Sequence, residues 1–178
     1  MKLEIIPEAL NRLKNPPKEL NFIGDTSLLS MPKVAVVGSR KASVYTKECV
    51  TALCAALKSA NVCVVSGGAI GVDITAHKAA MPRTISVFAN GLDIIYPAQN
   101  KAAIREIYEK GLALSEYDEG EPPIAYRFLE RNRIVVGLAQ ALVVAQADLR
   151  SGSMQSARLA NELNIPVFVL PQRINESN

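Results

Sequence analysis

Six short runs, Val34–Val37, Val62–Val65, Thr84–Phe88, Leu112–Leu114, Ala141–Ala145 and Pro166–Leu170, are rich in β-branched and apolar residues, and most lack polar alternation. A strand with one face in water alternates apolar and polar side chains, whereas a strand apolar throughout is buried on both faces. Amphipathic helical patterns lie between the runs. Val50, Leu53, Cys54 and Leu57 follow the i, i+3, i+4, i+7 spacing, and Met154, Ala157, Ala160 and Leu163 keep a three-residue step. Strand and helix in alternation, joined by right-handed crossovers, predict a Rossmann-like α/β fold: a doubly wound, mostly parallel sheet with helices on both faces. Residues 1–32 have helical and turn character and are expected to form a lead-in packed on one sheet edge, ahead of a Rossmann-like domain over 33–178.

A chain of 178 residues, 49% hydrophobic and 21% charged, suits one domain with a real core. No repeat period or Gly/Ser-rich linker divides it. The opening Met1–Glu8 has acids and a proline where a secretory signal needs an unbroken apolar stretch. The longest uncharged run, Ile134–Ala147, is 14 residues, against about 20 for a spanning helix. Cys49, Cys54 and Cys63 fit neither a disulfide framework nor a zinc site. The expectation is a cytoplasmic protein with no membrane association, no metal and no cofactor.

In such folds ligands sit beyond the carboxyl ends of the strands. The first strand ends in Gly38-Ser39-Arg40-Lys41-Ala42-Ser43, where serines can cap the next helix and its N-terminus offers N–H groups to an anion. Lys33 to Lys47 holds four basic residues and no acid. The second strand ends in Ser66-Gly67-Gly68-Ala69-Ile70-Gly71-Val72-Asp73, three glycines in five positions, which suit either close approach to a phosphate or tight strand–helix packing. It is neither a dinucleotide fingerprint nor a P-loop. Lys78 follows on the same predicted helix, placed either to lean back on that loop or to stand in solvent. Tyr126-Arg127-Phe128-Leu129-Glu130-Arg131-Asn132-Arg133 sets two aromatics among three arginines: bases stack on aromatic faces and guanidinium groups hold phosphates, although salt-bridged helix-start packing has the same composition. Asp148-Leu149-Arg150-Ser151-Gly152-Ser153 makes a third loop of the anion-binding type. Three such loops on one sheet edge fit several successive phosphates, and so a polynucleotide.

The net charge is only +3, but residues 1–90 carry +5 and residues 91–178 carry −2, with much of the acid in Glu116–Glu121. Catalysis has little to draw on. His77 is the only histidine, which excludes a two-histidine metal site within one chain and suits a buried or capping role. Asp73, Asp93, Glu116 and Asp148 fall near loop mouths without a spacing that shows them meeting.

Taken in order, these motifs resemble the DprA (Smf) family of DNA-processing proteins. The resemblance runs from about Pro7 to Pro171: Val37-Gly38-Ser39-Arg40, Ser66-Gly67-Gly68-Ala69-x-Gly71-x-Asp73 with Ala76-His77, Gly91-Leu92-Asp93-x-x-Tyr96-Pro97, Ser115-Glu116-Tyr117, Phe128-x-x-Arg131-Asn132-Arg133-Ile134 and Ser151-Gly152-Ser153. It implies a non-enzymatic cytoplasmic protein of natural transformation that binds and protects incoming single-stranded DNA, helps load the recombinase RecA and works as a homodimer. It implies DNA contact at Gly38, Ser39, Arg40, Ser66, Gly67, Gly68, Lys78, Asn90, Phe128, Arg131, Asn132, Ser151, Gly152 and Ser153. Ile70, Gln146, Asn90 and Gln172 depart from the family pattern, which more often has arginine, glutamate, cysteine and glycine there. The sequence ends at Asn178, before the winged-helix-like module usual in the family. The competing expectations are a nucleotide-hydrolysing enzyme of the same fold class, similar to phosphoribohydrolases, and an interaction scaffold.

Overall fold

A computed structural model describes residues 1–172. Its seven strands are β1 (Asn21–Gly24), β2 (Lys33–Val37), β3 (Cys63–Ser66), β4 (Thr84–Phe88), β5 (Leu112–Ser115), β6 (Ala141–Val144) and β7 (Val167–Val169). They form one sheet in the order β1-β5-β4-β3-β2-β6-β7. Only the β1–β5 pair is antiparallel; the others run parallel. The helices are α1 (Val44–Ser59), α2 (Val72–Ala80), α3 (Lys101–Lys110), α4 (Ala125–Leu138) and α5 (Gly152–Glu162). This is the expected doubly wound α/β fold.

Each face of the sheet has its own apolar layer. Val36, Val64 and Val143 pack with Val50 and Cys54 of α1 and Ala76 of α2, and Phe88 and Ala113 extend that face under Ile104 and Ile107 of α3. On the opposite face Ala35, Val65, Ile85 and Val87 pack with Ile134–Val136 of α4 and Ala160 of α5. Both faces are dry, which explains why β3 and β4 are buried at every position.

The N-terminal segment contains a strand as well as turns. Two short 3-10 helices, Glu8–Arg12 and Thr26–Ser30, flank β1. Leu10, Leu13, Leu20 and Leu28 enter the α4-side core, and Arg12 Nη2 donates to the carbonyls of Gly137 and Ala139 at 2.7 and 2.6 Å, where α4 ends. The segment thus covers the β5 edge and also fixes the far end of α4.

From β2 the chain winds outward through β3, β4 and β5, then returns to place β6 on the other side of β2. The crevice between the carboxyl ends of β2 and β6 is the topological switch point, where this architecture leaves room for a ligand.

Candidate nucleic-acid interface

A cavity of about 560 Å³ occupies that switch point. Its walls are the β2–α1 loop with Gly38, Ser39, Arg40 and Lys41, the β3–α2 loop with Gly67 and Ala69, the β6–α5 loop with Asp148 and Ser151–Ser153, and the α4 face carrying Phe128, Arg131 and Asn132. A second cavity of about 140 Å³ adjoins it, sharing Arg40, Gly67, Ala69 and Phe128 and adding Gly68, Ile70, Asn90 and Tyr96.

Arg40 and Phe128 form the ridge between the two. The Arg40 guanidinium carbon lies 5.4 Å from the Phe128 ring centroid, and the Tyr96 ring stands 5.8 Å from Phe128, tilted by 47°. Arg40 and Tyr96 are exposed and Phe128 is half-buried, so the ridge offers solvent a cation and two partly open π faces. The aromatic partner Tyr96 was not among the expected contact residues. Its sequence signal is the Tyr96-Pro97 pair that closes the Gly91-Leu92-Asp93 motif, which does not reveal the contact with Phe128 that folding makes.

The glycine-rich loop is shaped largely by the protein's own groups. Arg131 is buried, and its Nη1 donates to the Gly67 and Val87 carbonyls. Asp73 Oδ2 accepts the Gly67 N–H at 3.2 Å. The Gly67 peptide is therefore held from both sides, and a Cβ at this position would collide with the Arg131 guanidinium. Gly71, at φ +82°, brings this loop against the Ser39 and Arg40 carbonyls, where a Cβ would also collide. The glycines pack tightly, and Gly67 and Gly68 also line the cavities.

Burial lowers the Arg131 pKa to about 10; the Asp73 charge raises it and Arg40 lowers it further. Arg131 stays charged at neutral pH, but it acts as an internal pin whose charge lies under the cavity floor. Desolvation raises the Asp73 pKa, opposed by Arg131 and by the backbone N–H groups of Ala69 and Gly67.

The other expected residues fall into three groups. Gly38, Ser39, Asn132, Ser151, Gly152 and Ser153 come together on the first cavity. Ser66 lies beneath it, buried, with its hydroxyl donated to the Val36 carbonyl, and Asn90 is buried on the second cavity with its amide donated to the Gly91 and Ile94 carbonyls. Lys78 lines neither cavity: α2 begins at Val72, and six residues further along, roughly 9 Å at 1.5 Å per residue, Lys78 stands exposed in the last turn. Lys41 and Asp148 of the anion-type loops and Leu129 of the aromatic–arginine segment, none of them among the expected DNA contacts, also line the first cavity.

The serines of the anion-type loops are partly committed. Ser43 Oγ accepts the Thr46 N–H and caps α1, and Ser151 Oγ does the same for Met154 and α5. Gln146 ties β6 to the β2–α1 loop, its carbonyl accepting the Ser39 N–H at 2.7 Å and its Oε1 the Ser43 N–H at 3.0 Å. Ile70, half-exposed, puts an apolar side chain on the second cavity.

His77 is buried, with Nδ1 2.6 Å from Thr84 Oγ1. Because the Thr84 hydroxyl donates to the Val64 carbonyl, His77 Nδ1 is the donor to Thr84, and Nε2 is left bare and unpaired. Burial lowers its pKa to about 3. Of the four loop-mouth carboxylates, Asp93 accepts the Gly120 N–H and Glu116 pairs with Arg133 at 2.7 Å, both outside the two cavities; Asp73 and Asp148 line the first cavity.

Comparison with known proteins places these features in a family. The chain is 40% identical to DNA processing protein DprA of Streptococcus pneumoniae over 171 residues, covering 94% of this chain and 60% of that protein. It is 39% identical to protein Smf of Escherichia coli, covering 94% and 46%. Across such curated relatives the chain spans about 40 to 60% of their length. Among solved structures, DNA processing protein A of Helicobacter pylori, described for its single-stranded DNA binding mode, superposes with a TM-score of 0.97 at 49% identity, covering all of this chain and 83% of that one. The structure of DprA from Streptococcus pneumoniae gives 0.94 at 38% identity over 99% and 64%. The molybdenum cofactor binding protein of Rippkaea orientalis shares the fold at a TM-score of 0.57 and 17% identity. The family model described as DNA recombination-mediator protein A matches residues 2–178, and the chain belongs to that family.

Proposed function

We propose that this chain binds single-stranded DNA with little regard to sequence. The observation that carries the reading is the Arg40–Phe128–Tyr96 ridge on the shared wall of two adjoining cavities. Stacking on an aromatic face tolerates any base, and a neighbouring cation tracks the phosphates. Arg40 and Lys41 are the phosphate-facing cations, Gly67, Gly152 and Ser153 bring backbone close to the strand, and bases stack on Phe128 and Tyr96. Arg131 and Asp73 hold the floor. The strand preference agrees with the single-stranded DNA binding mode of the Helicobacter pylori relative.

The role that follows is protection of incoming strands in natural transformation and help in loading RecA, in the cytoplasm and without catalysis. The sole histidine, buried and neutral, supports the non-enzymatic reading. Homodimerisation is part of the proposal, supported by the outer strand β7, which exposes Phe168 and Val169.

The test is a titration with oligothymidylates of increasing length beside a duplex control, with base release from nucleoside monophosphates assayed in the same preparation. Affinity that rises with strand length and exceeds that for duplex is expected; turnover without length dependence would identify a nucleotide hydrolase instead. Phe128→Ala should weaken oligonucleotide binding by about 1–3 kcal/mol. Wild-type affinity in a stable Phe128→Ala protein removes the stacking role.

A further inference from the structure

A third space, a groove of about 270 Å³ between α4 and α5, adjoins the first cavity. Leu129, Asn132 and Ser156 line both. Gly152, on the first cavity, lies close to this shared wall, where an added Cβ would come to 3.4 Å from both Asn132 Nδ2 and Leu129 Cδ2.

The groove's ionic groups are unevenly committed. Arg133 is held by Glu116 through both guanidinium nitrogens, each at 2.7 Å. Arg158 is exposed and has no carboxylate partner among the described residues. Glu162, one turn further along α5, also lines the groove and is exposed. Among the described residues neither Arg158 nor Glu162 has an ion-pair partner, so an unpaired cation precedes an unpaired anion along a groove that is also lined by Leu129 and Leu159.

We infer that the α4–α5 groove carries the continuation of the bound single strand, with Arg158 as its phosphate contact and Glu162 as the charge that turns the strand away. This rests on the single-stranded DNA reading of the switch-point cavity and extends it to a second segment. A phosphodiester leaving the cavity over Gly152 into the groove meets Arg158 as the unpaired cation of its lining. A short oligonucleotide fills the cavity without reaching that far.

The experiment measures fluorescence anisotropy with labelled oligothymidylates of about 4 and about 16 nucleotides, the span of site sizes for OB folds that bind single strands. Wild type, Arg158→Ala, Arg158→Lys and Glu162→Gln are compared across salt. Arg158→Ala should match wild type on the short strand, lose affinity severalfold on the long one, and flatten only the long-strand salt slope, by about 0.7. Arg158→Lys should restore most of the loss, and Glu162→Gln should tighten long-strand binding. Wild-type behaviour of Arg158→Ala at both lengths, or an equal loss at both, overturns the extension while leaving the cavity reading intact. A wild-type protein that binds neither strand overturns both.

Discussion

Arg40 and Arg131 sit on the same cavity and do different work. Arg40 is exposed above Phe128, so Arg40→Ala should leave urea unfolding unchanged, weaken oligonucleotide binding and reduce the magnitude of the salt slope by up to about 0.7. Arg131 is buried and spans two strand-end carbonyls. Arg131→Met strands those acceptors and leaves Asp73 buried without its countercharge, which should cost at least about 2 kcal/mol of stability by urea unfolding. Equal stability of the two variants would contradict this division. His77 gives an independent check, because the chain has no other histidine. Its imidazole signals should show the Nδ1–H tautomer and stay unchanged from pH 8 to 5. The unfolded chain takes up a proton near pH 6.5 that the native state refuses until about pH 3. The stability due to neutral His77 is therefore complete above about 6.5 and falls with pH below it, by at most about 1.4 kcal/mol per unit. Asp73 acts oppositely: its raised pKa gives stability that is present at low pH and lost as pH rises through that value. An imidazole titrating near pH 6.5 would show that His77 is not sealed.

At the level of elements, α4 is the part on which the candidate interface depends, since Phe128, Arg131 and Asn132 all stand on it. Its C-terminal carbonyls are met by Arg12 from the N-terminal 3-10 helix, a cation placed at the negative end of the helix dipole. Arg12→Met should therefore destabilise the protein by about 1.5–3 kcal/mol, the range for hydrogen bonds to a charged group, and raise amide exchange in the last turn of α4 first. Unchanged exchange there would show that the lead-in only covers the sheet edge. Most strands were legible from their apolar runs, and β4 coincides with its predicted bounds. β1 was not, because four residues ending in glycine give no periodicity, and its pairing partner β5 lies about 90 residues away.

For the whole molecule, the sheet order converts a small net charge into a local one. Arg40 and Lys41 gather at the switch point, while acids of the β5–α4 connection are partly occupied: Glu121 with Arg127, Asp118 with Lys2, and Glu116 with Arg133. Assembly belongs to this scale too. If the proposed homodimer forms through the outer strand β7, Phe168→Asp should shift sedimentation from dimer to monomer and leave the monomer folded, since Phe168 is 58% exposed within one chain. The same mass for wild type and variant would place any self-association elsewhere.

The sequence by itself determined the fold class, because strands apolar on both faces alternating with amphipathic helices have few other ways to be buried. It also marked three strand-to-helix loops, which the fold brings to one cavity at the switch point. Which side chains line that cavity depends on the tertiary structure. Arg131 and Phe128 are three residues apart on one helix, yet Arg131 turns under the Gly67 loop while Phe128 stands at the rim. Lys78 lines neither cavity, standing in the last turn of α2, and Tyr96 joins Phe128 from a loop 32 positions away. Spacing along a chain sets periodicity and faces; proximity across loops depends on how the sheet is ordered, and no local pattern encodes that.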